Sequence, residues 1–202
     1  EINLYTSNKA NNNLPNVVDF YIDNEYSLLI LEKIEGNVLG QARNEFDLDL
    51  SDQTRFEIVK SIINIKNMNI TFELVQNYDR QENLLKYLNR SSKHLEKDAL
   101  NMINNLYEEI IKIESDFVIS HGDLISPNIM FNNDKIKFID WEYISLKPQY
   151  YDVVYFLLFS KENNSLDIIK EYKFDVDKKE LYRDGIILCL KEIKKVVHNL
   201  LS

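Results

Sequence analysis

The stretch His121-Gly122-Asp123-Leu124-Ile125-Ser126-Pro127-Asn128, followed by Ile136-Lys137-Phe138-Ile139-Asp140, decides how this chain folds. An apolar run, Phe117-Val118-Ile119, leads into it, and Ile129-Met130-Phe131 leads out. The runs on either side of Asn132-Asn133-Asp134 read as two strands of a hairpin, with that tripeptide as the turn. A hairpin brings its ends together, so Asp140, twelve residues beyond Asn128, is expected to fold back beside it. Two carboxylates and one amide then converge. Phosphoryl transfer needs few groups: a carboxylate to orient the attacking hydroxyl and accept its proton, and oxygen ligands for Mg2+ against the phosphates. Asp and Asn are also common in turns, and this chain is rich in Asn; the flanking strands are what raise the pattern above turn chemistry.

Working outward, Val17-Val18-Asp19-Phe20-Tyr21-Ile22 and Tyr26-Ser27-Leu28-Leu29-Ile30-Leu31 read as a hairpin turned at Asp23-Asn24-Glu25. A helix end is expected before it, over Glu1 to Lys9, with a polar loop from Ala10 to Asn13. Gly36 and Gly40 mark a linker, near Glu35 to Asn44. Beyond Asp52 the spacing becomes helical. Phe56, Val59, Ile62 and Ile63 share a face and Ser51 is a candidate N-cap. Tyr78 to Leu88 and Leu95 to Ile113 give two further helices. After Tyr150 the pattern is helical again, the last helix starting near Asp177 with Glu180 as capping-box partner. The chain has four Gly and three Pro, so few breakers interrupt the helices. The fold class is α+β: residues 1–35 form a strand-rich piece and residues 36–202 a mainly helical domain holding the decisive loop and hairpin.

Composition narrows the partners. Hydrophobic residues at 45% and charged residues at 28% describe an ordinary globular chain. The net charge of −9 shows no basic face for nucleic acid and tolerates a cationic substrate better than an anionic one. One cysteine, Cys189, can build neither a disulfide framework nor a cysteine zinc site. No apolar run approaches eighteen residues, so no membrane partner is expected and a cytoplasmic setting is the default.

The pattern "SHGDLISPNIMF" followed by "IKFIDWEYISLKPQYYDVVYF" resembles the aminoglycoside phosphotransferase and choline kinase superfamily, small-molecule relatives of the protein kinases. Those carry His-Arg-Asp-x-x-x-x-Asn and Asp-Phe-Gly; here Gly122 replaces the Arg and Trp141-Glu142 replaces Phe-Gly, as in the small-molecule branch. The resemblance implies a protein-kinase-like fold with ATP and Mg2+ as cofactors. Asp123 would be the catalytic base, and Asn128 and Asp140 the magnesium ligands. His121 would brace the loop, with a satisfied core histidine as the alternative. Asp152 would fix the loop by accepting backbone hydrogen bonds, with a plain helix N-cap as the alternative. Leu31 to Gly36 resembles the hinge between lobes, where the Glu32 carbonyl and the Ile34 amide would meet adenine.

For the acceptor, Ile139-Asp140-Trp141-Glu142-Tyr143 resembles the choline and ethanolamine kinase form of the metal motif. Trp141, Glu142 and Tyr143 would then line a pocket for a small cationic alcohol, and Tyr150, Tyr151 and Tyr155 would add aromatic faces, unless these rings simply pack. Val153-Val154 in place of Asn-His after Asp152 leans back toward aminoglycoside kinases, whose C-terminal acidic residues hold amino groups. Glu162, Asp167, Asp175 and Glu180 are candidates, or solvated faces. No Gly-rich loop or strand lysine precedes the hairpin, and Glu1 stands where the helix glutamate partnering that lysine would be. The expectation is an N-terminally truncated kinase, weakly active or inactive as given. A non-catalytic pseudokinase is the third reading.

Overall fold

The computed structural model describes residues 1–9, 11–42, 50–70, 73, 78–112, 114–132, 135–159, 174 and 176–201, with backbone alone for 159 and 194–201. Helix α1 (Ile2–Ser7) precedes a two-stranded hairpin, β1 (Val17–Ile22) and β2 (Ser27–Leu31). The Asp23 carboxylate closes the hairpin turn by accepting from the amides of Glu25 and Tyr26 at 2.8 and 2.9 Å. Partners run from Val17 opposite Leu31 to Ile22 opposite Ser27, with a bulge between Val17 and Asp19. Val18, Phe20, Ile22, Leu28 and Ile30 stay exposed on this ribbon.

The helical part is built on capped, amphipathic segments. Helix α2 (Asp52–Ile63) starts at Ser51, whose hydroxyl accepts from the Thr54 amide at 3.2 Å. Its buried face is Arg55, Ile58, Val59 and Ile62. The expected face of Phe56, Val59, Ile62 and Ile63 is therefore rotated: Phe56 and Ile63 are only half-buried. Arg55 hides its stem in the apolar stripe and keeps its guanidinium 3.4 Å from Asp52. Helix α3 (Arg80–Ser91) is capped by Asp79, and α4 (Lys97–Lys112) follows after a 3-10 turn. Helix α5 (Tyr151–Phe159) packs between α2 and the terminal helix α6 (Lys178–Leu201), and α6 packs also on α3. The Asp177 carboxylate accepts from the Lys179 amide at 2.8 Å and from that of Glu180 at 3.3 Å, which starts α6 where expected.

Two small antiparallel sheets carry the central loop. One has the order β3-β5-β6, from Asn37–Val38, Ile129–Asn132 and Lys135–Phe138. Residues 133 and 134 of the expected turn lie outside the described residues. The other sheet pairs β4 (Phe117–Ser120) with β7 (Ser145–Pro148), Ser120 opposite Ser145. Strand β7 falls in what reads as a loop by sequence. Ser-Leu-Lys-Pro has little strand propensity and becomes a strand by pairing with β4, where its terminal Pro148 sits at an edge. The chain mixes helices with these short sheets in the α+β, kinase-like arrangement.

Candidate active site

The central loop is held from three sides. From below, α5 presents Asp152 in its first turn, 5% exposed. Its Oδ2 accepts from the His121 amide at 2.7 Å and its Oδ1 from the Gly122 amide at 3.2 Å. Asp152 therefore does not spend its side chain capping its own helix. Burial pushes its carboxyl above the ordinary range, opposed by His121 and by these amides. Behind, the fully buried His121 ring bonds through Nε2 to the Ile139 carbonyl at 2.9 Å, so Nε2 carries the proton. Burial lowers the pKa of the imidazole, which stays neutral between Asp152, Asp123 and Asp140. Above, Gly122 has φ +86°, and a Cβ there would run into the Tyr143 carbonyl oxygen. Glycine answers both constraints at once.

Within the loop, Ser126–Asn128 forms a single 3-10 turn with Pro127 in its first positions. The Asn128 amide donates to the Ile125 carbonyl at 2.9 Å, and Nδ2 donates to the Asp123 carbonyl at 3.0 Å. With its donor side so used, Oδ1 takes no hydrogen bond from the described residues. The Ile139 amide donates to the Asn128 carbonyl at 3.0 Å, and Ile129 pairs with Phe138. The hairpin thus does what its sequence implies: it returns Asp140 to the neighbourhood of Asn128. Asp140 sits at φ +63°, left-handed backbone that Asp tolerates better than most side chains. Its carboxylate makes no hydrogen bond or ion pair among the described residues. Its pKa is raised by burial first, then by the charges of Glu142 and Glu1, with Asp123 adding to them.

Asp123, Asp140, Glu142 and Glu1 therefore share one acidic field, with the exposed Asp140 carboxylate inside it and the Asn128 amide oxygen nearby on the loop. That donor set fits Mg2+: hard oxygen ligands, an unmet negative charge, and room left in the shell for phosphate oxygens and water. No three His, Cys, Asp or Glu side chains gather in metal-binding range among the described residues. The protein would supply only part of the shell.

Other expected site residues fall elsewhere. Trp141 is fully buried, donates its indole N–H to the Phe138 carbonyl at 3.0 Å, and packs tilted against His121 at 4.4 Å between centroids. It cannot offer a face to an acceptor, and that expectation is corrected: the ring is part of the core under the loop. Tyr150, Tyr151 and Tyr155 are likewise buried and pack. Glu142 and Tyr143 are exposed, and a hydrogen bond to Glu142 raises the Tyr143 phenol's pKa. Glu162, Asp167 and Asp175 lie outside the described residues, and Glu180 is buried, 3.9 Å from Arg183.

In the segment expected to be the hinge, the Glu32 carboxylate accepts from the Asn16 amide at 3.0 Å and from its Nδ2 at 2.7 Å, and stands 3.3 Å from Lys137. Glu32 and Ile34 line a cleft of about 590 Å³ with Asn13, Asn16, Asn132 and Lys137. Asp123, Asn128 and Asp140 do not line it. Sequence reasoning missed the stitching of residues 35–42 onto β5, which began at two glycines with no periodicity to read. The Glu1 carboxylate, expected to await a lysine, accepts instead from the Trp141 amide at 2.8 Å.

Residues 15–179 match the model of the phosphotransferase enzyme family. A "Protein LicA homolog" from Metamycoplasma hominis is 26% identical over 183 residues, 88% of this chain and 69% of that protein. The crystal structure of choline kinase LicA from Streptococcus pneumoniae superposes with a TM-score of 0.58 at 17% identity, covering 96% of this chain and 70% of that one. A type VIII aminoglycoside-3'-phosphotransferase superposes at 0.55 with 13% identity, covering 93% and 77%. Held together by the braced loop, the returning hairpin and a family match across most of its length, the chain belongs to the phosphotransferase enzyme family, whose reaction is the transfer of a phosphoryl group to a hydroxyl.

Proposed function

We propose that the chain is the hinge and catalytic lobe of an ATP- and Mg2+-dependent kinase acting on a hydroxyl of a small cationic molecule, of choline or ethanolamine type. Residues 1–35 bring the hinge, and residues 36–202 form the catalytic lobe. The observation that carries the reading is the convergence of Asp123, Asn128 and Asp140 on one loop and the hairpin behind it. Asp123 orients the acceptor hydroxyl and takes its proton as the oxygen bonds to the terminal phosphorus and the bond to the nucleoside diphosphate breaks. Asn128 Oδ1 and the Asp140 carboxylate would hold magnesium, which would offset charge on the phosphate oxygens. Asp152 and His121 keep the loop in register. The Glu32 carbonyl and Ile34 amide are the edge offered to adenine.

A cationic acceptor suits the acidic field around Asp123, in which Glu142 and the exposed Tyr143 stand on the open side. The LicA homologue among the relatives, taken with the choline kinase LicA among the structural neighbours, favours choline. An aminoglycoside would meet the same acidic field, and the structural neighbours include a kinase of that class.

Thermal unfolding tests the reading, because a ligand that binds only the native state raises its stability. Mg-ATP is expected to raise the melting temperature, choline to raise it further, and kanamycin to add nothing. A rise with kanamycin but not choline would reverse the acceptor assignment. In a turnover assay, Asp123→Asn is expected to lower whatever rate the chain shows by about 10²- to 10⁴-fold, the usual worth of a general base. Unchanged turnover would remove Asp123 from that role.

A further inference from the structure

The segment after the hinge is zipped onto the strand that follows the catalytic loop. In order along the zipper, Asn132 Nδ2 donates to the Glu35 carbonyl at 2.9 Å, Asn37 pairs with Phe131, and Val38 pairs with Met130. The Leu39 amide then donates to the Ile129 carbonyl at 2.9 Å. At Gly36, φ is +138° and a Cβ would stand 2.6 Å from the Phe131 carbonyl oxygen, so the two chains lie as close as glycine allows. The last tooth lies beyond the strand, inside the catalytic loop: the Ser126 hydroxyl, 1% exposed, donates to the Ala42 carbonyl at 2.7 Å.

Asn128 lies between the last two teeth, at Ile129 and Ser126. Its backbone is fixed by Ile125 and Ile139, but the turn that aims its side chain starts at Ser126. Without the Ser126 tooth that turn would be tied to the post-hinge segment on one side only. We infer that Ser126 is a positioning residue, whose hydroxyl sets Asn128 at a fixed span from the hinge. The nucleotide's base and the metal on its phosphates would thereby be gauged by one strip of backbone, residues 35–42. This rests on the proposed metal role of Asn128.

The test reads coupling rather than turnover. Nucleotide affinity of the chain is measured by calorimetry without metal and with Mg2+, for the parent, Ser126→Ala and Ser126→Thr, with thermal melts recorded alongside. In Ser126→Ala, metal-free affinity is expected to match the parent and the gain from Mg2+ to fall roughly ten-fold, the equilibrium worth of about one hydrogen bond. Ser126→Thr, which keeps the hydroxyl, should restore the gain. If Ser126→Ala does not fold, Ser126→Cys carries the same comparison, its thiol being a weak donor. An undiminished Mg2+ gain in a folded variant overturns the positioning role. So does a parallel fall in metal-free affinity and melting temperature, which marks a general structural role. A parent whose nucleotide affinity ignores Mg2+ overturns the metal reading of Asn128, and the inference with it.

Discussion

At the scale of single residues, the site is a set of trade-offs made by the backbone. Gly122 is the sharpest: left-handed φ and the Tyr143 carbonyl together forbid a side chain. Ala there must either distort the loop or break the hydrogen bond that the residue-122 amide donates to Asp152. Gly122→Ala is expected to cost about 2 kcal/mol in denaturant unfolding, and a cost near zero would mean the loop has another conformation. The residues proposed to bear the chemistry were legible from their spacing together with the strands that flank it: Asp123, Asn128 and Asp140 follow from one loop and one hairpin. Trp141 was misread for the opposite reason. Its sequence position beside Asp140 says nothing of which way the ring turns. The left-handed backbone at Asp140 sits just before it, and the ring itself packs on His121.

At the scale of elements, capping and pairing decide what forms. The Ser51 cap was visible as a side chain just ahead of helical periodicity; the Asp79 cap was not, because the helical pattern was read from Tyr78 onward. Ser51→Ala is expected to destabilise the protein by about 1 kcal/mol, or roughly 2–4 °C in melting temperature, as seen by calorimetry. A smaller shift would show that α2 is held by its buried face alone. Strands β3 and β7 were not legible. Two residues cannot display alternation, and Ser145–Pro148 has the composition of a loop. Both are strands because a partner offers them hydrogen bonds, β5 in one case and β4 in the other. The rotation of the α2 face has a similar cause. Ile58 was available to the apolar stripe all along, and Arg55 joins the buried face with its guanidinium 3.4 Å from Asp52.

At the scale of the whole molecule, long-range ties join the first 32 residues to the β6 and Trp141 region. Glu32 reaches Asn16 on one side and Lys137 of β6 on the other, and Lys137 also donates to the Leu14 carbonyl at 2.6 Å. The Asn16 amide first, then its side chain and Lys137, hold the Glu32 carboxyl below its ordinary value of 4.5. A carboxyl depressed in the folded state adds stability above its unfolded pKa and loses it as pH falls through the folded one. The melting-temperature gap between the parent and Glu32→Gln is therefore expected to be widest near neutral pH and to close on acidification below about pH 4.5. A gap independent of pH would assign the effect to packing instead. A second tie spans 140 positions of sequence: the Glu1 carboxylate accepts from the amide of Trp141, whose own side chain is wholly out of water. Exchange of that amide proton requires its hydrogen bond to Glu1 to break. Its hydrogen–deuterium exchange rate therefore reads how often Glu1 leaves the Trp141 backbone, from a single NMR resonance.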